Sequence, residues 1–163
     1  MGERNGRERL PIEVIADVAA PGDTVYRLVS DVERMGEWSP ECQRCEWLDG
    51  GDGAAVGARF RGHNRIGGRR WSTVSTVVAA DPGHVFAFRT SALGLPVAEW
   101  RYTITPSADG CRVTETWHDA RGPLMRAVGR IGTGVRDRAA HNRRGMERTL
   151  ARLKAAAEAA PGS

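Results

Sequence analysis

The feature that most constrains the fold is a run of short strand-like segments, divided by turn sequences and followed by one long helical pattern. Six stretches after Pro40 have strand composition, and turns rich in glycine and proline separate them. These stretches are residues 42–48, 58–64, 71–80, 85–90, 98–105 and 111–118. Because strands joined by short turns pair antiparallel, we expect one antiparallel sheet.

A further strand is predicted ahead of these six. Apolar residues alternate along Ile12–Ala19, which is the period of a half-buried strand. Pro21-Gly22 ends that strand, and the helical spacing of residues 23–38 predicts two short helices between the first two strands. Ser39-Pro40 closes this segment, because a residue before proline is pushed out of the helical region.

The C-terminal part of the sequence predicts a long helix. After Pro123, apolar residues recur at steps of three or four and form one stripe. The stripe is Leu124, Val128, Ile131, Val135, Ala139, Asn142, Met146, Leu150 and Leu153. Gly129, Gly132 and Gly134 weaken a helix, so we expect a bend or a late start there. The whole pattern predicts an α+β domain in which the long helix covers one face of a seven-stranded antiparallel sheet.

Composition predicts a folded chain of one domain. The 163 residues are 40% hydrophobic and 27% charged, which is near the globular average. No shift in composition divides residues 11–157, and we expect mobile polar tails at 1–10 and 158–163. No apolar run approaches a membrane span, no signal peptide is evident, and three cysteines are too few for a disulfide framework. We therefore expect a cytoplasmic protein without a transmembrane segment.

The basic residues do not identify a partner. The formal charge is +4, and Lys154 is the single lysine among 24 basic residues. The arginines of the C-terminal helix are spread over more than one face, which a solvated surface explains. No aromatic motif for RNA binding accompanies them. We expect no DNA partner, and an RNA or protein interaction module is retained only as a third hypothesis.

Two cysteines have a spacing that is common in metal and redox sites. Cys42 and Cys45 form a CxxC motif, but no second pair follows. On a regular strand, residues three apart point to opposite faces of the sheet. The four histidines are scattered and form no recognised metal motif. The sequence therefore predicts neither a metal site nor a cofactor.

The order of elements, together with several local sequences, resembles the SRPBCC superfamily. The local sequences are DVERMGEWSPE (31–41), VGARFRGHN (56–64), AADPGHVFAFRT (79–90), WRYTITPSADGCRVTETW (100–117) and RDRAAHNRRGMERTLARLK (136–154). The resemblance covers about residues 12–155 and is closest to small bacterial proteins of the polyketide cyclase/dehydrase type. It implies a helix-grip fold, in which a curved seven-stranded antiparallel sheet wraps around the long C-terminal helix and a ligand cavity lies between them. It does not imply one reaction, because the superfamily includes carriers, receptors and enzymes.

Strand alternation predicts which side chains line that cavity. We place Trp38 at the entrance and Val128, Ile131 and Val135 on the helical side. The predicted residues on the sheet are Phe60, Asn64, Val74, Thr76, Phe86, Phe88, Trp100, Tyr102, Glu115 and Trp117. For all of these residues, plain core packing is the competing interpretation.

Polar residues on these inward faces are the candidates for chemistry. Glu115 lies between Val113 and Trp117, so its carboxylate must be paired, hydrated or shifted in pKa. It is a candidate acid or base together with Tyr102, a ligand anchor, or a structural carboxylate. Asn64 and Tyr102 either orient a ligand or are buried polar groups that water or backbone satisfies. Trp38 either contacts a ligand or plugs the short helices onto the sheet.

The first functional hypothesis is a module that carries or sequesters a small hydrophobic or aromatic molecule, of a lipid, polyketide or isoprenoid-like kind. The alternative is a polyketide cyclase/dehydrase-like enzyme, which would use Glu115 and Tyr102 for acid/base transfer without a cofactor. The sequence leaves open whether a reaction takes place and whether the protein is a monomer or a homodimer.

Overall fold

A computed structural model describes residues 9–161, and within them seven strands form one sheet. The strands are β1 (Ile12–Val18), β2 (Cys42–Trp47), β3 (Arg59–Ile66), β4 (Arg69–Asp81), β5 (Val85–Ala92), β6 (Leu95–Ser107) and β7 (Gly110–Asp119). Each strand pairs antiparallel with its neighbours, in the spatial order β1-β7-β6-β5-β4-β3-β2. The predicted antiparallel sheet is confirmed.

The helices occupy the two places that the sequence indicates. Helix α1 (Gly22–Ser30) and a 3₁₀ helix (Val32–Glu37) lie between β1 and β2, while α2 (Pro123–Thr133) and α3 (Arg138–Ala159) follow β7. None of the helices in residues 9–161 has both the length and the apolar character needed to cross a bilayer. The predicted α+β helix-grip architecture is confirmed.

The first strand returns to the last one and completes the sheet. Ile12 of β1 lies opposite Trp117 of β7, and Val18 lies opposite Cys111. The tight turn before β7 depends on Gly110, which has a φ of 149° and whose missing side chain leaves room for the Val18 carbonyl. A side chain at this position would collide with β1, so Gly110 allows the edge strand β1 to pair closely with β7.

The core lies between the concave face of the sheet and one face of α3. Aromatic side chains fill its centre: Phe60 packs edge-to-face on Phe88 with ring centroids 5.1 Å apart, and Phe86 packs on Tyr26 of α1 at 6.5 Å. Helix α3 buries a stripe with helical spacing, namely Asn142, Met146, Thr149, Leu150, Leu153 and Ala157. This stripe agrees with the predicted one from Asn142 onward.

The predicted single C-terminal helix is in fact two helices, and this corrects the sequence interpretation. Helix α2 ends at Gly134, which adopts the left-handed conformation with a φ of 74° and donates its N–H to the Arg130 carbonyl. Helix α3 begins after Asp137, whose side chain accepts a hydrogen bond from the Ala140 N–H at 3.0 Å. The glycines predicted a bend or a late start, and the long helix α3 does begin late, at Arg138, with a complete C-cap and a new N-cap separating it from α2.

The predicted tails fall partly beyond the structural description. Residues 1–8 and 162–163 lie outside the described residues. Helix α3 continues to Ala159, two residues past the predicted end of the domain at 157. Near this end, Glu158 accepts a hydrogen bond from the Ala19 N–H at 2.9 Å, and Lys154 donates to the Asp17 carbonyl. These contacts fasten the last turns of α3 to the end of β1.

Candidate functional site

A cavity of about 190 Å³ lies between the concave face of the sheet and helices α2 and α3. Many of the predicted lining residues do surround it: Phe60, Asn64, Phe88, Trp100, Tyr102, Glu115 and Trp117. Trp100 and Trp117 are register partners on β6 and β7, with ring centroids 6.4 Å apart. Alternation along β3, β5, β6 and β7 therefore gives the inward faces correctly, and it brings these side chains together.

On β4 the predicted inward face is wrong. Val74 and Thr76 do not line the cavity, whereas Trp71, Thr73 and Ser75 do. The sequence interpretation placed the valines inside because they are apolar, but this stretch of the wall is polar. Ser75 and Thr90 share a hydrogen bond of 2.9 Å, so both hydroxyls are satisfied within the wall. Thr90 was missed, although extending the Phe86–Phe88 alternation by two residues identifies it.

Phe86 and Trp38 are buried but do not line the cavity. Phe86 is fully buried in the core against Tyr26. Trp38 is 3% exposed, Arg34 lies over its ring at 5.2 Å, and Arg152 donates to its carbonyl oxygen at 3.3 Å. Trp38 therefore joins the short helices to α3, which is the plug alternative rather than the entrance alternative.

The helical wall also differs from the prediction. Val128 and Ile131 are exposed, at 38% and 75%, and Val135 lies in the connection between α2 and α3. Helix α2 instead turns Met125, Gly129 and Thr133 toward the cavity, and α3 contributes Asn142, Met146 and Thr149. The prediction treats residues 134–137 as part of one continuous helix, but they connect α2 to α3. Because the helix is interrupted there, the stripe on α3 does not continue onto α2 with the same spacing.

Glu115 is the most unusual group in the wall. It is 2% exposed, and its Oε1 accepts a hydrogen bond of 3.1 Å from the Tyr102 hydroxyl. Its Oε2 has no hydrogen-bond partner within residues 9–161. Burial raises the pKa of Glu115 to about 8, although the Tyr102 hydrogen bond acts in the opposite direction. At neutral pH the protonated acid therefore predominates, and a protonated carboxyl group is a hydrogen-bond donor as well as an acceptor.

The two polar partners of this site have different surroundings. Burial, followed by the nearby Glu115 carboxyl, raises the pKa of Tyr102 well above its usual value, so Tyr102 stays a donor. Asn64 donates from Nδ2 to Thr73 Oγ1 at 3.3 Å. The amide group of Asn64 is thus partly satisfied by a side chain of the wall, rather than by the water or backbone that the structural alternative named.

A polar cluster joins the start of α3 to Glu41, the residue directly before the edge strand β2. Glu41 accepts a hydrogen bond from Arg138 Nη2 and shares another with His141 Nε2, both at 2.7 Å. These side chains line the cavity and are 18 to 29% exposed. They therefore mark the solvent-exposed side of the cavity, here called its wet side, whereas Glu115 is buried. At another point of the wall, Arg121 forms two hydrogen bonds with the buried Asp119, at 2.8 and 2.9 Å.

Cys42 and Cys45 both line the cavity, contrary to the argument from strand alternation. The pairing register of β2 with β3 shifts between Cys42 and Arg44, which makes Gln43 the extra residue of a β-bulge. The bulge turns both thiols to the inner face, with their Sγ atoms 3.3 Å apart. Nothing in the sequence pattern signals this bulge.

Residues 10–158 match the family model described as polyketide cyclase / dehydrase and lipid transport. The chain belongs to this family. The match confirms the resemblance to the polyketide cyclase type of SRPBCC protein. A comparison with curated proteins finds no match.

Solved structures of similar shape agree with membership of the polyketide cyclase/dehydrase and lipid transport family. The Polyketide_cyc-like protein Cgl2372 from Corynebacterium glutamicum is 32% identical, with 90% of this chain and 88% of that one covered and a TM-score of 0.53. Protein CV1439 from Chromobacterium violaceum is 16% identical, with 93% and 100% covered and a TM-score of 0.69. The di-domain ARO/CYC StfQ from the steffimycin biosynthetic pathway is 20% identical over 91% of this chain and 50% of that one, with a TM-score of 0.70. The last two likenesses show the fold.

Proposed function

We propose that this protein binds one small, mainly apolar ring compound in its cavity and carries or sequesters it, with the Glu115 carboxyl group as the polar anchor. The observation that carries the proposal is the Oε2 atom of Glu115, which is buried on an aromatic wall without a partner among the described residues. A buried polar group without a partner costs about 1–3 kcal/mol. A ligand that accepts a hydrogen bond from Oε2 would remove this cost.

The volume of the cavity supports a ligand of one or two rings. A dry cavity of about 150 Å³ suffices to hold benzene, whereas pockets for drug-sized ligands are about 300–1,000 Å³. The cavity volume of about 190 Å³ is close to that of the cavity that holds benzene. A long acyl chain would need displacement of the wall, so polyketide-like or isoprenoid-like ring compounds fit better than extended lipids.

The chemistry of the wall supports an aromatic ligand with one acceptor group. Trp100, Trp117, Phe60 and Phe88 supply ring faces and edges, which pack well against another ring. The neutral form of Glu115 suits a ketone, quinone or phenol oxygen rather than a cation. We infer that such a ligand places its polar atom beside Glu115 and packs its ring against the tryptophans.

Native mass spectrometry of freshly purified protein tests this proposal. We expect one bound small molecule per chain, or saturable uptake from a panel of monocyclic and bicyclic phenols, ketones and quinones, followed by quenching of tryptophan fluorescence. Glu115→Leu removes the anchor and should weaken uptake at least about tenfold, since one good hydrogen bond in a dry site contributes on the order of 1.5 kcal/mol. Glu99→Leu, on the outer face of β6, is the matched control. Absence of uptake across the whole panel would reject the proposal.

A cyclase/dehydrase-like enzyme is the second candidate, and a specific observation favours it. Glu115 has a pKa of about 8 and hydrogen-bonds to Tyr102 inside the cavity, so it can hold or release a proton near neutral pH. In this reading Glu115→Gln abolishes turnover of a reactive poly-β-carbonyl compound while binding changes less than about threefold. Unchanged turnover in that variant would remove Glu115 from the reaction.

We further infer that the protein works in a reducing compartment such as the cytoplasm. Its three cysteines are free and form no disulfide framework, which is typical of proteins in a compartment where thiols remain reduced.

A further inference from the structure

Three sulfur atoms follow one another along the cavity wall, in the order Cys42, Cys45 and Met35, and the proposed ligand function does not use them. The Sγ atoms of Cys42 and Cys45 are 3.3 Å apart, and Cys45 Sγ is 3.9 Å from the Sδ atom of Met35. Both cysteines are buried, at 5% and 7% exposure, and all three residues line the cavity. Met35, Cys42 and Cys45 form the sulfur cluster.

Local backbone features bring the sulfur cluster together. The bulge at Gln43 turns both thiols inward, as described above. Met35 reaches them because the 3₁₀ helix lies directly on β2: a Cβ atom at Gly36 would be 2.6 Å from the Gln43 carbonyl oxygen. Gly62 pairs with Cys45, and the position of its missing Cβ is 3.7 Å from Cys45 Sγ. The absent side chain leaves space in front of that sulfur.

Strand register argues against a disulfide between the two cysteines. Cys42 lies opposite Asn64 and Cys45 lies opposite Gly62, two residues apart on β3. The two Cα atoms are therefore separated by about two strand rises, which is roughly 6.6 Å. Disulfides span Cα distances of up to about 6.8 Å, most often about 5.5–6 Å. A direct S–S bond would thus be at the limit of what this backbone allows.

A bridging metal ion suits these distances better. Metal–thiolate bonds are about 2.3 Å long in zinc sites, so two thiolates on one metal lie about 3.8–4.0 Å apart at tetrahedral or trigonal angles. The observed separations of 3.3 and 3.9 Å reach this range with small side-chain rotations. In residues 9–161 no group of three His, Cys, Asp or Glu side chains is placed to hold a metal, which disfavours zinc.

The chemical identity of the donors selects the metal. Two thiols and a thioether are soft ligands, which suit Cu(I), zinc and iron–sulfur clusters. Structural zinc sites and iron–sulfur clusters normally use four protein ligands, so a set of three sulfurs fits Cu(I) best. We propose that Cys42, Cys45 and Met35 form a binding site for one Cu(I) ion. Binding converts both thiols to thiolates, so two protons are released for each Cu(I) bound and the oxidation state of sulfur and copper is unchanged.

The charges around the cavity agree with thiolate formation. The bound site has a single negative charge. The guanidinium of Arg138 lines the same cavity, and its Nη1 is buried without a partner among the described residues.

Anaerobic titration with Cu(I) bicinchoninate, a competing chelator complex, tests the site. We expect one Cu(I) per chain in the wild type and in Cys111→Ser, a matched control at a buried cysteine on β7. Cys42→Ser and Cys45→Ser should each weaken binding at least about a hundredfold, and Met35→Leu about tenfold. Equal affinity in the Cys42→Ser variant, or a preference for Zn(II) over Cu(I), would overturn the proposal.

Two measurements on the wild-type protein keep the test independent of variant folding. X-ray absorption of the copper-loaded protein should show three sulfur neighbours around copper. Nitrogen or oxygen neighbours in place of the sulfurs would contradict the site. The second measurement is the intact mass after treatment with hydrogen peroxide. A mass lower by two hydrogens in the treated protein, together with no Cu(I) retention by the untreated protein, would identify a redox dithiol instead of a copper site.

Discussion

Tyr102 and Glu115 are register partners on adjacent strands, and the Tyr102 hydroxyl donates a hydrogen bond to Glu115 Oε1 at 3.1 Å. This cross-strand pair lies beside the aromatic part of the wall, next to Trp100 and Trp117. The pair leaves Oε2 without a partner in the described residues, so it combines a fixed donor with an unused carboxyl oxygen. The electrostatics of the cavity depend on this relationship, and two predictions test it.

The first prediction concerns the dependence of stability on pH. Burial raises the pKa of Glu115 from its usual value of 4.5 to about 8, so the folded protein binds more protons than the unfolded chain between these values. The stability contribution of the protonated acid is fully present below about pH 4.5 and is lost as pH rises through about 8. Glu115→Gln removes this titration and should become more stable relative to wild type across that window, by on the order of a few kcal/mol.

Urea denaturation of both proteins at pH 5, 6.5 and 8.5 measures the difference. Asp23→Asn on α1 is a control for the general loss of a carboxylate. A stability difference between wild type and Glu115→Gln that is constant from pH 5 to pH 8.5 would show that Glu115 titrates normally.

The second prediction concerns the tyrosine. Because the Tyr102 hydrogen bond lowers the pKa of Glu115, Tyr102→Phe should raise that pKa further above about 8. The same change removes a buried hydrogen bond and should cost about 1–2 kcal/mol in the free energy of unfolding. Carboxyl ¹³C NMR of labelled glutamate follows the titration. Tyr26→Phe is a matched control, because Tyr26 is a core tyrosine that packs on Phe86; a similar pKa change there would contradict the assignment.

The fold was predictable because its signals are local and repeated. Turn sequences divide the strands, and alternation gives the correct inward face wherever the inner residues are large and apolar, as at Phe60, Phe88 and Trp100. On β4 the rule failed, since the cavity wall there consists of Thr73 and Ser75. Periodicity indicates apolar faces, and it cannot identify an inner face that is polar.

The remaining differences come from backbone events that have no periodic signal. The bulge at Gln43 reverses the alternation of β2 for a single residue and places Cys42 on the same face as Cys45. The break between α2 and α3 depends on the left-handed conformation of Gly134 and on the cap from Asp137. Glycines mark several places where such a break is allowed, but tertiary packing decides which of them is used.

The third prediction uses two glycines of this region. Gly134 has a φ of 74°, and a Cβ there would lie 3.0 Å from Arg69 Nε, so Gly134→Ala should destabilise the protein by about 1 kcal/mol. Gly132 lies within α2 with open space where a Cβ would be, so Gly132→Ala should stabilise it by about 0.5–1 kcal/mol. Thermal unfolding of the two variants should shift the midpoint in opposite directions. Stabilisation by Gly134→Ala would favour the continuous helix that periodicity predicted.

The last prediction concerns the contact between the start of α3 and the edge of the sheet. Glu41 holds Arg138 and His141 at 2.7 Å each, and these partly buried contacts cross the wet side of the cavity. Glu41→Leu removes both contacts and leaves the positive charge of Arg138 without its carboxylate partner. The first turn of α3 should therefore unfold locally more often. We expect hydrogen exchange of amides 140–144 to accelerate at least about fivefold, which corresponds to about 1 kcal/mol of local stability.

Glu46→Leu provides the matched control for this change. Glu46 on β2 contacts His63 at 3.0 Å, so the variant removes a similar carboxylate–histidine pair, but that pair does not reach α3. If the Glu41 cluster holds the cavity closed, uptake of a ring compound should also become faster in Glu41→Leu and stay unchanged in Glu46→Leu. Equal exchange at residues 140–144 in both variants would show that α3 is held at this end by its apolar stripe instead.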